Sequence, residues 1–301
     1  MATKIPVILD TDIGGDIDDA WALALILKSP ELDLKMVVTE TGNPAFRGAV
    51  AAKYLETAGR TDIPIALGIY ENDGTGAQEA WLGNHQVTDY PGEVYTDGVG
   101  AMIDLIMGSP ERITLICIGP VPNLRAALAR EPRIAERVRL VGMFGSLRYG
   151  YDGKGEIDAE TNVRLEPVAC RQMLASFPDI TITPLDTCGI VTLTGEKYRH
   201  IQTCSDPLIN MLLESYVSWA QYVEWTTVDP DVVTSTLFDT VAVYLAIAED
   251  FLEIEDLGIA VTDKGYTLID DQEKEIRCAT RWRDLSGFED WLVARLISNS
   301  E

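Results

Sequence analysis

The sequence is poor in positive charge. Its 301 residues include 24 Lys and Arg against 48 Asp and Glu, which gives a formal net charge of −24. Nucleic acids and anionic membranes are recognised through basic patches, because both carry dense negative charge. We therefore expect a protein that binds neither nucleic acid nor a membrane surface.

Long apolar runs and paired cysteines are also missing from the sequence. No apolar stretch approaches the roughly 20 residues that a membrane-spanning helix needs. Residues 1–4 lead straight into an apolar strand, so we expect no signal peptide. The five cysteines are odd in number and contain no CxxC pair, which favours reduced thiols over disulfides. Together these features indicate a cytoplasmic protein.

Apolar segments of strand length alternate with helix-forming segments through the first two thirds of the sequence. Strands are expected at 5–9, 34–39, 63–67, 113–118, 138–143 and 180–185, and helices at 45–58, 98–107, 122–130 and 164–175. This order predicts an α/β fold with a Rossmann-like, mostly parallel central sheet flanked by helices on both faces. From residue 206 onward we expect mainly helices. With no repeat or linker apparent, we expect one domain over residues 1–301.

Five carboxylates crowd the segment that joins the first strand to the first helix. They belong to Asp10, Asp12, Asp16, Asp18 and Asp19, and no Lys or Arg occurs between residues 5 and 27. Such a group repels itself unless a cation lies within it, and hard oxygen ligands suit Ca²⁺ or Mg²⁺. The alternative is that Asp18 and Asp19 favour a helix N-terminus while the other three are solvated. That alternative explains two of the five.

Loop segments, most of them polar, also follow other strands of the expected sheet. They lie at 40–43 after the second strand, at 118–120 after the strand at 113–118, and at 158–162 beyond the strand at 138–143. In parallel sheets, ligands bind at the carboxyl ends of the strands. These segments would therefore face one crevice with the Asp cluster. Carboxylates and carboxamides without basic partners suit a neutral, hydroxyl-rich ligand held beside a metal.

The run Asp10-Thr11-Asp12 to Asp18-Asp19 resembles the N-terminal signature of the inosine–uridine-preferring nucleoside hydrolases, in a form with two extra residues before the final Asp pair. The resemblance continues through 41–43, 113–123, 159–162 and 237–239, in the same order along the chain. It implies an α/β fold with about eight strands, a tightly held Ca²⁺, hydrolysis of N-ribosidic bonds, and assembly into homodimers or homotetramers. The expected partner is a small molecule, a nucleoside or a related ribosyl compound.

Carried over to this sequence, the resemblance implies roles for individual residues. The calcium ligands would be Asp12, Asp19, Asp239 and the main-chain carbonyl of Ile118, with Asp12 also the general base. The ribose hydroxyls would be held by Asp18, Asn43, Glu160 and Asn162. Asp10 would lie behind the ligands and orient them.

Two departures from the family pattern concern the substrate. Purine-cleaving members have a His directly before the last Asp ligand, where it protonates the leaving base, and this sequence has Phe238. His85 and Tyr90, in a long polar stretch at 70–97 that has the character of a lid, are alternative proton donors. His85 could equally be a solvated loop residue. The second departure is Gly153-Lys154-Gly155, where members have an Asn on the 5′ side of the sugar.

Aromatic side chains that could stack a base are Trp81, Tyr151, Tyr222 and Trp225, although aromatics at such spacing are more often packing residues. Three hypotheses follow. The first is a calcium-dependent nucleoside hydrolase with relaxed or pyrimidine-leaning specificity. The second is a glycosidase of the same fold acting on another ribosyl-like or pentose substrate. The third is a sugar-binding protein that has lost catalysis, against which Asp12, Asp18, Asp19 and Asp239 are all present.

Overall fold

A computed structural model describes residues 4–298 and arranges ten strands in one sheet. The strands are β1 (Ile5–Thr11), β2 (Leu32–Thr39), β3 (Ile65–Leu67), β4 (Val94–Tyr95), β5 (Ile113–Cys117), β6 (Val138–Met143), β7 (Ile180–Thr183), β8 (Leu252–Val261), β9 (Thr267–Ile269) and β10 (Glu275–Trp282). Their order is β4-β3-β2-β1-β5-β6-β7-β10-β8-β9. All neighbours from β4 to β10 run parallel, and β8 and β9 add an antiparallel edge. The expected mostly parallel sheet is confirmed, with two strands more than the expected eight.

Helices cover both faces of the sheet. They are α1 (Asp18–Leu27), α2 (Pro44–Thr57), α3 (Glu79–Leu82), α4 (Gly98–Gly108), α5 (Pro122–Arg130), α6 (Ile134–Arg137), α7 (Thr161–Leu165), α8 (Pro167–Ser176), α9 (Leu185–Cys188), α10 (Gly195–Gln202), α11 (Pro207–Tyr222), α12 (Phe238–Ile247) and α13 (Leu285–Leu296). Alternating residues of β1 enter two separate cores: Val7 and Leu9 pack with α1 and α12, and Ile8 packs with α4 and α5. Within residues 4–298, no helix is long and apolar enough to cross a membrane.

The order in which the chain adds strands to the sheet reverses between β1 and β5. From β1 it proceeds outward through β2, β3 and β4, then returns to place β5 on the other side of β1. The loops that leave β1 and β5 therefore diverge and open a crevice at the carboxyl ends of the two strands. This reversal is the position at which open α/β sheets bind their ligands.

The sequence prediction was wrong in two places along the chain. After residue 206 helices account for more residues than strands, as expected, but the strands β8, β9 and β10 in this region were not predicted. The single helix expected at 164–175 is two helices, α7 and α8, because Pro167 cannot continue the hydrogen bonding of α7. The polar stretch at 70–97 is also more structured than expected, since it contains α3, a 3₁₀ turn (Val87–Asp89) and β4.

Candidate active site

The segment between β1 and α1 forms the floor of the crevice. Gly14 has φ +104°, a conformation that favours glycine, and lets the chain turn sharply after Asp12. Two other parts of the fold hold this turn: the amide of Gln78 donates to the Gly14 carbonyl (3.4 Å), and the indole of Trp219 donates to the Gly15 carbonyl (3.2 Å). The turn ends where Asp18 and Asp19 begin α1, an end at which negative charge is favoured.

Three carboxylates meet at the ends of two helices. Asp18 and Asp19 start α1, Asp239 is the second residue of α12, and one oxygen from each lies within 4.8 Å of the others. All three are nearly inaccessible to solvent. Burial raises their pKa values well above the ordinary range, and repulsion from neighbouring carboxylates raises them further. The Thr11 hydroxyl donates to Asp19 and fixes one oxygen of that carboxylate.

Two more acids of the same segment surround this cluster. Burial raises the pKa of Asp12, and the Asp12 charge in turn raises the pKa values of Asp18, Asp19 and Asp239, so it lies beside all three. Burial raises the pKa of Asp16 to about 6, and its carboxylate accepts the amide of Ile17 (2.6 Å). The structure therefore brings three of the predicted Asp residues, Asp18, Asp19 and Asp239, into one cluster, and the charge of Asp12 acts on all three.

Asp10 lies behind the cluster in a buried polar network. Its Oδ1 accepts the Asn123 side-chain amide (2.7 Å), while Oδ2 has no partner within residues 4–298. Burial raises the pKa of Asp10 to about 7. Glu40 is its neighbour: Oε1 accepts the Val121 amide (2.9 Å), Oε2 is unpartnered in the same part of the chain, and burial raises its pKa.

The predicted carbonyl ligand and one predicted sugar contact are bonded to each other. Asn162 Nδ2 donates to the carbonyls of Ile118 and Met143, both at 3.1 Å. The donor side of this amide is therefore occupied by main chain, and its oxygen is left to accept a hydroxyl. The Ile118 side chain is buried, so the carbonyl is the polar group that this residue offers.

The other two predicted sugar contacts are helix caps. Asn43 Oδ1 accepts the amides of Ala45 and Phe46 at the start of α2, which leaves its NH₂ group without a partner within residues 4–298. Glu160 caps α7 by accepting the Asn162 amide (2.6 Å) and the Val163 amide (3.2 Å), and it also accepts the Gly145 amide (3.0 Å). Burial raises the pKa of Glu160 to about 7.

The structure does not bring the predicted proton donors to the cluster. His85 Nε2 lies 3.2 Å from Glu56 Oε1, in the last turn of α2, and Asn43 caps the opposite end of that helix. Fourteen residues of helix separate the two ends, about 20 Å. Tyr90 is buried and donates to the Ile63 carbonyl (2.6 Å). His85 and Tyr90 therefore have no support as the leaving-group acid.

The aromatic residues separate into packing residues and residues near the site. Trp81 stacks on Tyr54 beneath Lys53, away from the cluster. Tyr151 contacts Phe238 edge to face, with ring centroids 5.9 Å apart, and its hydroxyl accepts the amide of Thr161 (3.1 Å). Trp225 is largely exposed and packs against Trp219. Tyr222 is exposed as well, at the end of α11.

Sequence reasoning overlooked one residue of the site. Arg47 Nη2 lies 3.8 Å from Asp12 Oδ2, and the Arg47 charge opposes the rise in the pKa of Asp12. The expectation of acids without a basic partner was therefore wrong. A signal was present: Arg47 follows the cap Asn43 by four residues, and i, i+4 spacing places it on the same side of the first helical turn.

A buried cluster of carboxylates lies at the reversal point of a Rossmann-like sheet, where such sheets bind their ligands, and amide side chains surround it. The family described as inosine-uridine preferring nucleoside hydrolase matches residues 7–289, and the chain belongs to this family.

Individual relatives agree with this assignment. The chain is 30% identical over 214 residues to RihC of Salmonella agona, a non-specific ribonucleoside hydrolase, and the match spans 65% of this chain and 66% of that protein. A plant nucleoside hydrolase has the same fold, with a TM-score of 0.82, 23% identity, and coverage of 98% and 99% of the two chains. A purine-preferring ribonucleoside hydrolase from Gardnerella vaginalis gives a TM-score of 0.78 at 21% identity, covering 97% and 98%.

Proposed function

We propose that this protein hydrolyses the N-ribosidic bond of a nucleoside, releasing ribose and the free base, with a bound Ca²⁺. The observation that carries the proposal is the meeting of Asp18, Asp19 and Asp239 within 4.8 Å, in a chain of the nucleoside hydrolase family. Membership of the family supports the reaction. The acidic cluster supports the cation.

The donor set of this centre fits a hard divalent cation. It consists of carboxylate oxygens and one carbonyl, which are ligands that Ca²⁺ prefers. The same carboxylates have raised pKa values, because burial and repulsion disfavour three adjacent negative charges. The family resemblance gives the ion to Asp12, Asp19, Asp239 and the Ile118 carbonyl. The acids that lie within 4.8 Å of one another are Asp18, Asp19 and Asp239, so Asp19 and Asp239 would hold the ion in either case. A bound Ca²⁺ would lower the pKa of a coordinated water and help to orient it.

The protein's own groups would perform the remaining chemistry. Asp12 accepts a proton from the attacking water as the oxygen bonds to the anomeric carbon, and the electron pair of the breaking C–N bond leaves with the base. Positive charge develops on the sugar in the transition state, and the surrounding carboxylates stabilise it. Asp18, Asn43, Glu160 and Asn162 hold the ribose hydroxyls and fix the ring. No covalent sugar intermediate is required, so inversion is expected.

The leaving group distinguishes the two enzymatic hypotheses. Phe238 and Tyr151 contact one another next to Asp239, and neither His85 nor Tyr90 lies there. Phe238 cannot donate a proton, so the site favours a leaving group that departs without acid assistance. This observation supports relaxed or pyrimidine-leaning specificity. It is also consistent with the second candidate, a glycosidase for another ribosyl-like or pentose substrate.

One experiment separates these candidates from a non-catalytic sugar-binding protein. Inosine, uridine, cytidine and p-nitrophenyl riboside are each incubated with the protein, with and without a chelator, and released ribose is measured. Turnover of nucleosides that the chelator abolishes is the expected result. Turnover of the nitrophenyl riboside alone would favour the second candidate. No ribose from any substrate would leave sugar binding as the better account.

The metal ligands are tested by Asp19→Ala. This change removes a buried carboxylate from the cluster, so we expect the variant to lose the ion. Bound calcium is measured by atomic absorption after gel filtration, with Glu131→Ala, a change at an exposed salt bridge, as the control. One equivalent of Ca²⁺ retained by Asp19→Ala would contradict the ligand set.

The proposal extends to the state of the protein in the cell. We infer a cytoplasmic, single-domain enzyme that assembles as a homodimer or homotetramer. The support is the family resemblance and the composition. Light scattering after size exclusion, together with limited proteolysis, tests the assembly and the single domain.

A further inference from the structure

Arg47 connects two loops of the active site. Its Nε donates to the Thr41 carbonyl (2.6 Å) in the loop between β2 and α2. Its Nη1 donates to the Ile13 carbonyl (3.1 Å) in the loop between β1 and α1, and Nη2 lies 3.8 Å from Asp12 Oδ2. Among the ion pairs of residues 4–298, this is the one that reaches an acid of the Asp12–Asp19 segment.

One of the two loops has an unfavourable backbone conformation. Thr41 has φ +59° and Gly42 has φ +66°, directly before the cap Asn43. A left-handed conformation is rare for a β-branched residue and persists only where the surroundings enforce it. The enforcing contacts are the Arg47 bond to the Thr41 carbonyl and the bond from the Gly42 amide to Glu71 Oε2 (2.9 Å). Arg47 thereby helps to determine the direction in which Asn43 leaves the loop.

The geometry of the Arg47 guanidinium indicates that this residue does more than compensate the charge of Asp12. Its shortest bonds are to two main-chain carbonyls, and the distance to Asp12 is too long for a hydrogen bond. A planar fork can hold two carbonyls in fixed directions, which a lysine ammonium does less well. The contacts therefore fix the backbone on both sides of the crevice.

We propose that Arg47 is a positioning residue that fixes the loop of Asp12 relative to the loop of Asn43. The inference rests on the proposed function, because it assigns Asp12 to the water and Asn43 to the sugar. Removing the bridge would let the two loops move apart. Substrate binding and turnover would then both suffer, as would the binding of calcium by Asp12.

The test compares Arg47→Lys, which keeps the charge, with Arg47→Gln, which removes it. Arg139→Gln is the matched control. Arg139 also donates to two carbonyls (Leu245, 2.8 Å; Ala246, 3.5 Å) and lies near one carboxylate (Glu249, 3.5 Å). It lies at the amino-terminal end of β6, whereas the candidate site lies at the carboxyl ends of the strands. Steady-state KM and kcat on uridine and p-nitrophenyl riboside, calcium affinity by calorimetry, and Tm are measured for all four proteins.

For both Arg47 variants we expect kcat/KM to fall about 10- to 100-fold, with a higher KM and a lower kcat, and calcium affinity to fall by a similar factor. Arg139→Gln should lower Tm and leave KM, kcat and calcium affinity unchanged. A purely electrostatic role predicts otherwise: Arg47→Lys would match the wild type, and Arg47→Gln would bind calcium more tightly.

Three results would overturn the proposal. They are wild-type constants for Arg47→Lys, tighter calcium binding by Arg47→Gln, and equal losses of activity in Arg139→Gln. Each leaves the proposed function standing, since the wild-type enzyme is active in all of them. If the wild type releases no ribose but binds calcium, the proposed function fails, and the calcium affinities of the Arg47 variants still decide the role of Arg47. If it does neither, both proposals fall.

Discussion

Asp12 and Asp16 are more exposed than the other acids of their segment, and Asp12 also lies beside a positive charge. Its side chain is 20% exposed and lies beside Arg47, whereas Asp18, Asp19 and Asp239 are almost fully buried. A group that accepts a proton from water needs such access, and a carboxylate that only holds an ion does not. The exposure of Asp12 is consistent with the proton transfer that we propose for it.

Asp12→Asn should abolish most turnover and largely preserve the fold. An amide cannot accept the proton, and loss of a general base costs about 10²- to 10⁴-fold in rate. Ribose release and Tm measure the two effects, with Asp73→Asn, an exposed loop residue, as the control. Activity near that of the wild type would contradict the assignment.

Phe238 is the residue that sets the leaving-group preference in our proposal. Replacing it by His offers an imidazole next to Asp239, at the position that the family resemblance assigns to the leaving group. We expect Phe238→His to raise kcat/KM for inosine at least about tenfold relative to p-nitrophenyl riboside, because acid catalysis helps the poorer leaving group.

Phe238→Leu is the control for this change, since it loosens the packing on Tyr151 without providing a proton. Both substrates should then change by the same factor. An unchanged inosine-to-nitrophenyl ratio in Phe238→His would show that position 238 does not face the base.

The segment between β3 and α3 presses directly on the turn after β1. A β-carbon on Gly76 would lie 1.9 Å from the Gly14 carbonyl oxygen, a distance that no rearrangement of a flexible side chain can relieve. Gly76→Ala should therefore cost about 1–3 kcal/mol in the free energy of unfolding and weaken calcium binding. Urea unfolding and calorimetry measure the two effects.

Gly108→Ala is the matched control. It ends α4, nothing lies within 4 Å of its β-carbon position, and alanine is the better helix former. This variant should be neutral or slightly more stable. A Gly76→Ala protein that behaves like Gly108→Ala would show that the turn after β1 tolerates displacement.

Sequence patterns predicted helices with clear local signals and strands that are continuous apolar runs, and missed strands in which charged residues separate the apolar ones. The expected bounds of α5 agree with those observed, because Pro122 and the apolar spacing mark the helix without help from the fold. β8 begins Leu-Glu-Ile-Glu and β10 contains Ile-Arg-Cys, alternations typical of strands with one exposed face that the search for apolar runs overlooked. β10 is placed by its pairing with β7, which joins Arg277 to Thr181 across the sequence.

The candidate site could be predicted from the sequence where the type of residue indicates a single chemical role. Five Asp residues in a segment without Lys or Arg indicated a cation, and the carboxyl ends of the expected parallel strands indicated where the site would form. The hydrogen bonds of Asn43 and Glu160 as caps, and the position of His85 at the far end of α2, depend on how the loops fold. No spacing rule carries that information.

The buried acids give the whole molecule an unusual pH dependence. Burial raises the pKa values of Asp10 and Glu160 to about 7 and of Asp16 to about 6. Between about pH 4 and 7 the folded protein then binds more protons than the unfolded chain, so its stability falls as pH rises. Glu131 and Glu255 have Arg partners that lower their pKa values to about 2, so these two groups affect stability at pH values below this range.

We expect the Tm of calcium-free protein to fall steadily from pH 5 to pH 8, and added Ca²⁺ to reverse the loss at pH 7–8, because the metal binds the deprotonated carboxylates. Scanning calorimetry with chelator and with calcium measures both trends. Glu160→Gln should flatten the chelated curve, since the amide does not titrate. A chelated Tm that rises over this range would contradict the burial argument.

The burial of α1 determines how rarely this helix opens to solvent. Asp18 to Ile26 are all buried, so the helix that begins the acidic centre is enclosed on every side, while the segment at 223–233 is mostly exposed and irregular. Backbone amides in α1 should exchange hydrogen with solvent only when the whole protein unfolds, and those at 223–233 should exchange through brief local openings. Substrate would then meet charges that do not move on the timescale of a turnover.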